Sequence, residues 1–216
     1  MNPRSPSFPK VGVVSYSTGN ILSIVHALDR IGAEHTVICN PSDLRECDAV
    51  IMPGVGHFNT AAQSLRETGL AHEILEQAGS SFPLLGICLG FQLLTHSSDE
   101  SPHDPGLGFF PTRTIKIDPS DTKQYKTPQI GWNEVFMNQR SVSLLNGVNE
   151  ESLLFYFANK YGVMPLQSQS CAQSFYIHED SWVATAEIGT VFGVQFHPEK
   201  SGQSGQRVLL NFLGYA

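Results

Sequence analysis

Charge is scarce in this chain. Asp, Glu, Lys and Arg make up 15% of its 216 residues, against about a quarter in most soluble domains. Part of such a surface has room to be covered by something other than water. Basic residues are the rarer sign, 13 against 20 acidic, for a formal net charge of −7. A nucleic-acid partner needs clustered Lys and Arg to neutralise phosphates, so that class is excluded. No apolar run approaches the ~20 residues needed to cross a bilayer, and no membrane partner is expected. The opening Met1-Asn2-Pro3-Arg4-Ser5-Pro6 is polar and lacks the apolar centre of a signal peptide. Residues 1–10 are therefore expected to be a disordered leader, and the protein to be cytoplasmic. The four cysteines form no C-x-x-C pair, which points to reduced thiols, with Cys39, Cys47 and Cys171 as small packing residues. The eight histidines show no H-x-x-H or H-E-x-x-H grouping, so neither a metal nor a cofactor is implied.

What is present is the raw material of one α/β domain. Apolar residues at 41% suit a chain that buries roughly 70% of its unfolded surface. Val11–Val14, Thr36–Cys39, Ala49–Met52 and Pro83–Ile87 are short apolar runs of the kind that form strands buried on both faces. Between them lie helical patterns at Asn20–Ile31, Ala61–Glu67 and Leu70–Ala78, with another over Leu89–His96. Strands alternating with helices make a parallel sheet with right-handed crossovers. Beyond a Ser/Asp/Pro/Gly-rich loop at 97–110 the texture changes to β-like segments at Thr112–Ile117, Asn133–Phe136, Leu153–Ala158, Ser174–Ile177 and Trp182–Ala186. A last strand at Gly193–Phe196 and a closing helix at Gly205–Leu213 follow. The expected architecture is a mixed, mostly parallel, flavodoxin-like sheet flanked by helices, with antiparallel strands in the C-terminal half. A single domain spans residues 11–216.

Three segments at inferred strand ends carry the chemistry. Gly86-Ile87-Cys88-Leu89-Gly90 has the layout of a nucleophile elbow with Cys as nucleophile. The flanking glycines allow a tight turn, and the positive end of the following helix favours the thiolate, the attacking species. A small core cysteine between packing glycines would look the same, so this segment alone decides little. A cysteine nucleophile needs a base, and the base an orienting group. Gln195-Phe196-His197-Pro198-Glu199 supplies both, with Pro198 stiffening the spacing between His197 and Glu199. Met52-Pro53-Gly54-Val55-Gly56 lets backbone N–H groups turn towards a developing oxyanion. It is also what an ordinary βα turn looks like, and no phosphate-loop pattern occurs. Converging on one point, the three provide nucleophile, base and oxyanion donors for acyl transfer.

Pro83 to Leu94 resembles the nucleophile segment of the triad, or class I, glutamine amidotransferases, and Val194 to Glu199 resembles their His-Pro-Glu segment. Ser17-Thr18-Gly19-Asn20, Pro53-Gly54-Val55-Gly56, Gln129-Ile130-Gly131-Trp132-Asn133 and Glu199-Lys200-Ser201-Gly202 are similar to the glutaminase subunits of imidazole glycerol phosphate synthases. The resemblance runs from about Val11 to the C-terminus. It implies that Cys88 attacks the glutamine side-chain amide, while backbone N–H groups at Val55 and Leu89, presented with Gly54 and Gly56, hold the oxyanion. His197, assisted by Glu199, protonates the departing ammonia, and water hydrolyses the thioester to glutamate. Gln92 would help hold glutamine, together with the strand Asn159-Lys160-Tyr161. The implied partner is a (β/α)8-barrel cyclase, forming a heterodimer through which ammonia passes to make imidazole glycerol phosphate and an aminoimidazole ribonucleotide in histidine biosynthesis. Asn20, Trp132 and Lys200 would face it.

Two segments depart from the family pattern. Ser15-Tyr16-Ser17 replaces the usual Asp-Tyr-Gly, and Ala158-Asn159-Lys160-Tyr161 replaces the usual Val-His-Ser/Thr-Tyr strand. Lys160 could attract a carboxylate, point towards the partner, or simply be a solvated strand lysine. The change keeps a second client open: an ATP-dependent amidotransferase of surface-sugar biosynthesis, served by a paralogous glutaminase. A catalytically idle binding or regulatory subunit is disfavoured by the intact Cys88, His197 and Glu199. A stand-alone γ-glutamyl hydrolase is disfavoured by the Thr18-Gly19-Asn20 and Gly131-Trp132-Asn133 segments.

Overall fold

A computed structural model of the chain describes residues 9–16, 21–78, 82–118, 125–137, 142–148, 153–167 and 171–216. The first half runs β1 (Val11–Val14), α1 (Leu22–Arg30), β2 (His35–Ile38), α2 (Pro41–Leu44), β3 (Ala49–Met52), α3 (Phe58–Glu67), α4 (Leu70–Ala78), β4 (Leu84–Ile87) and α5 (Leu89–Leu93). The second half adds β5 (Thr95–Ser98), β6 (Phe110–Lys116), β7 (Gln129–Met137), β8 (Leu154–Asn159), β9 (Tyr161–Val163), β10 (Ala172–His178), β11 (Asp180–Ile188), β12 (Val191–Val194) and α6 (Gly202–Leu213).

Nine strands form the main sheet in the order β2-β1-β3-β4-β12-β11-β10-β7-β8. Pairing is parallel from β2 to β12 and antiparallel from β12 to β8, the mixed sheet expected. The strands at its centre (β1, β3, β4 and β12) are buried at every position, as apolar runs without alternation require when both faces are covered. On one face α1 and α6 bury Ile24, Ala27, Leu28, Val208, Leu209 and Phe212. On the other, α3 and α4 bury Phe58, Ala61, Leu65, Leu70 and Ile74. The last parallel strand is the distal β12, inserted beside β4 in register Val194↔Ile87. That pairing brings the chain ends after β4 and β12 to the same sheet edge.

Several boundaries differ from expectation, each for a local reason. The helix expected over Leu89–His96 stops at Leu93, because residues 95–98 form β5 instead. There Thr95 turns its hydroxyl onto the Gln92 carbonyl at 2.7 Å, and Phe110 N–H takes the Leu94 carbonyl at 3.0 Å. A second, three-stranded sheet, β5-β6-β9, results. The last strand ends at Val194, so His197 lies beyond the ladder and not at its end. Pro198 has no N–H to continue the ladder, and a 3-10 turn, Pro198–Lys200, follows. Helix α2 is too short to show a period; Asn40 caps it by accepting from Ser42 and Asp43 N–H at 3.1 and 3.2 Å. The expected leader falls mostly outside the described residues, but Lys10 is tied to Asp48 by two backbone-directed bonds of 2.8 Å. All four cysteines are free; Cys39 is exposed and does not pack.

Candidate active site

Cys88 stands alone between the end of β4 and the start of α5, at φ 49° and ψ −102°. A non-glycine residue there costs about 1–3 kcal/mol and persists only where its surroundings hold it. The surroundings are backbone. A Cβ on Gly90 would fall on the Met52 carbonyl, and one on Gly86 would lie 2.7 Å from the Gly90 carbonyl carbon. These contacts let the elbow press against β3 and fold back on itself. Cys88 N–H also donates to the Val194 carbonyl at 2.7 Å, fastening the elbow to β12.

His197 is held at both ends of its peptide. Its N–H donates to the Tyr156 carbonyl at 2.8 Å, and its carbonyl accepts from Ser201 Oγ at 2.7 Å. The same hydroxyl accepts from Tyr156 N–H at 3.0 Å, so Ser201 joins β8 to the histidine. In the side chain, Nδ1 lies 2.8 Å from Glu199 Oε1, with both groups buried. Cys88 is the other group that acts on the ring, through its charge and as a hydrogen-bond partner. Burial alone would depress the imidazole's pKa. The charge and hydrogen bond of the Cys88 thiolate, then those of Glu199, outweigh it and push the value up to about 10. His197 is therefore held as an imidazolium at neutral pH, the form that can donate a proton.

The sulfur opens onto a cleft of ≈ 450 Å³ walled by Gly54–Gly56, Leu89, Gln92 and Ala158–Tyr161, within the size range of small-molecule sites. Gly54 crosses the elbow so closely that a Cβ there would stand 2.7 Å from Cys88 Cβ. Gly56 carries φ 134°, a conformation that favours glycine. Leu89 is the first residue of α5, so its N–H has no acceptor within the helix. Gln92 sits one turn on, nearly buried, and its Nε2 donates to the Tyr161 carbonyl at 3.1 Å. Asn159 Nδ2 donates to the same carbonyl and to Tyr176 OH, both at 3.0 Å, while its Oδ1 is buried without a partner. Lys160 is exposed at the rim, its Nζ 5.8 Å from the Tyr161 ring centroid.

The expected nucleophile, oxyanion and glutamine-site residues thus border one cleft, while the base His197 and Glu199 are buried outside its wall. Asn20 lies outside the described residues. Trp132 and Lys200 lie away from the cleft but converge on Tyr156, whose ring is 6.2 Å from the Trp132 ring and 5.7 Å from Lys200 Nζ. Sequence reasoning missed Tyr156, Ser201 and Gln195 as neighbours of the site. Ser201 and Gln195 stood inside quoted motifs; Tyr156 had no local signal.

These features define a class. The chain belongs to the class-I glutamine amidotransferases, whose family pattern matches residues 13–214. Among curated relatives, it is 42% identical over 200 residues to the imidazole glycerol phosphate synthase subunit HisH of Methanopyrus kandleri, covering 93% of this chain and 95% of that one. It is 38% identical over 204 residues to the HisH subunit of a Geobacillus species, covering 94% and 95%. A crystal structure of a glutamine amidotransferase superposes with a TM-score of 0.75 at 20% identity, over 95% of this chain and 97% of the other. The fold is shared.

Proposed function

We propose that this chain is the glutaminase subunit of an imidazole glycerol phosphate synthase, working in the cytoplasm as half of a heterodimer. The observation that carries the chemistry is the buried line Cys88–His197–Glu199, whose cysteine opens onto the cleft. Cys88 Sγ attacks the side-chain carbonyl carbon of glutamine, and the carbonyl π electrons move to oxygen. N–H groups of Val55 and Leu89 receive that oxyanion, with Gly54 and Gly56 letting the loop turn. The tetrahedral intermediate collapses, the C–N bond breaks, and His197 gives its proton to the leaving nitrogen. Water, deprotonated by the now neutral His197, then opens the thioester and releases glutamate. Glu199 keeps the imidazolium oriented throughout. Gln92 and Asn159-Lys160-Tyr161 hold the substrate's far end, where Lys160 supplies positive charge for its carboxylate.

Ammonia needs an acceptor site, which the glutaminase chemistry of Cys88, His197 and Glu199 does not supply. The partner is a (β/α)8-barrel cyclase that takes ammonia through a channel, completing the lyase reaction. It covers the face where Trp132, 57% exposed, and Ile130, 67% exposed, stand out, beside exposed Lys200. That use of apolar surface accounts for the low charge of the chain. Among the described residues no helix is long and apolar enough to cross a membrane.

The test is reconstitution. Mixed with the cyclase, the chain should support glutamine-dependent formation of imidazole glycerol phosphate, with little glutaminase activity alone. Ala158-Asn159-Lys160 leaves open a second reading, in which the client is an ATP-dependent amidotransferase of surface-sugar synthesis. Stimulation by that synthetase and not by the cyclase would decide for it.

A further inference from the structure

The mechanism above leaves one buried polar side chain beside the nucleophile unused. Gln195 is fully buried, and its Nε2 faces Cys88 Sγ at 3.5 Å. A glutamine amide has two faces, and which one meets the sulfur follows from its neighbours. The Tyr161 carbonyl can only accept, so the Gln92 group 3.1 Å away must be its amino side. That nitrogen's second hydrogen points to Gln195 at 3.4 Å, so Gln195 must offer its oxygen there. Its N–H side is left for the sulfur. A relay of three bonds thus runs from a backbone carbonyl in the cleft wall to the reacting atom, and each donor direction is set by the one before.

We propose that Gln195 is a further catalytic residue, whose side-chain amide donates a hydrogen bond to the Cys88 thiolate and holds the sulfur between attacks. This rests on the glutaminase reading for its place in the reaction, though the contact itself does not. An N–H donor stabilises charge on sulfur. The bond weakens when the C–S bond forms and charge moves to the oxyanion. It strengthens again when hydrolysis breaks that bond and the electron pair returns to sulfur as leaving thiolate. Gln195 therefore favours the thiolate before attack and its departure in deacylation. His197 then need not carry the sulfur's charge alone and is free to turn its proton to the amine.

The test follows alkylation of Cys88 by iodoacetamide across pH, in the complex with its cyclase, for the parent, Gln195→Met and Gln195→Glu. Met keeps the length and loses the donor; Glu puts a carboxylate beside the sulfur. With Met the midpoint of the profile should rise by about one pH unit, the scale of one hydrogen bond to a charged group. The high-pH plateau should rise about threefold, because a more basic thiolate is the better nucleophile. Glu should move the midpoint further. A merely structural role predicts a lower plateau with an unmoved midpoint. Midpoints within about 0.3 units of the parent in both folded variants overturn the proposal. Should neither variant fold, the parent's Gln195 side-chain amide is followed by NMR. Its N–H shift should titrate with the alkylation midpoint, and an amide indifferent to pH and to alkylation overturns the proposal equally. Alkylation does not depend on glutamine turnover, so a parent without glutaminase activity would sink the function while leaving this contact testable.

Discussion

Glu199→Gln is the most informative perturbation of the proposed triad, because the structure dictates what the new amide can do. Glu199 Oε1 accepts from His197 Nδ1 at 2.8 Å, and Oε2 is buried with no partner. An amide oriented to keep the first bond places its NH₂ where Oε2 was, a buried donor without an acceptor, costing about 1–3 kcal/mol. Flipped, the NH₂ faces Nδ1 and forces the imidazole into the wrong tautomer. Either way the carboxylate's charge is gone. A hydrogen bond to a charged group is worth about 1.5–3 kcal/mol, or about one to two pKa units. His197, at about 10 in the parent, should therefore titrate near 8 to 9 in Glu199→Gln. Glutamine-dependent kcat/KM should fall by roughly 10- to 100-fold, while ammonia-dependent synthesis by the complex stays intact. The assays are an NMR titration of the labelled imidazole and paired steady-state rates with glutamine and with ammonium. An unmoved His197 titration, with rates within about twofold of the parent, would refute the role given to Glu199.

Cys88→Ala should abolish glutamine-dependent synthesis and spare the ammonia-dependent rate; loss of both would end the proposed division of labour. It should also lower the His197 pKa further than Glu199→Gln does, since the thiolate stands ahead of Glu199 among the groups that raise it, and the same NMR titration ranks the two. The raised value has a stability consequence. An imidazolium favoured in the fold stabilises fully below the unfolded value near 6.5, and that contribution is lost as pH rises through about 10. The stability gap between the parent and Glu199→Gln should accordingly stay level up to the variant's own titration near 8 to 9 and shrink from there to about 10, and a gap that widens with pH would contradict the pairing. Gly90→Ala should drive a Cβ into the Met52 carbonyl and cost about 1–3 kcal/mol or more, several degrees of melting temperature. Gly189, at φ 60° with open space around it, should cost only the local backbone strain on the same substitution, and equal losses would deny the close packing at the elbow. Trp132→Ala should weaken binding to the cyclase by at least about tenfold in titration calorimetry without unfolding the subunit, and unchanged affinity would move the interface elsewhere.

The parallel half of the fold was legible because its information is local. Val11–Val14, Ala49–Met52 and Leu84–Ile87 are unbroken apolar runs, and each is buried at every position. The antiparallel half was legible only as a texture. Tyr161–Val163 is three residues long, and its pairing with Thr114–Lys116 depends on partners some 45 positions away. Cys88 and His197 could be matched by chemistry, since a cysteine in an elbow requires a base. Their joining depends on β12 lying beside β4, and nothing local specifies that neighbour. Gln195 was invisible as a participant for a related reason. Its side-chain contacts are to residues 92 and 88, and an amide just past a strand reads as an ordinary polar residue until the sulfur is seen beside it.

The departures from the family pattern at Ala158-Asn159-Lys160 fall beside a backbone group of the cleft wall. The wall of the cleft presents a backbone group, the Tyr161 carbonyl, and it is this carbonyl that Gln92 and Asn159 both address. Replacing the residue at 160 leaves that acceptor in place, since the acceptor belongs to Tyr161 and the Lys160 carbonyl is itself taken by Ile117 N–H at 3.0 Å. Asn159 is the substitution with chemical consequence. Its Nδ2 is committed twice, which leaves a buried, unpartnered Oδ1 in a residue of the cleft wall. A buried acceptor without a partner is costly. A strand that departs from the family pattern in three side chains therefore still presents the same backbone acceptor, because the Tyr161 carbonyl does not depend on which side chains precede it.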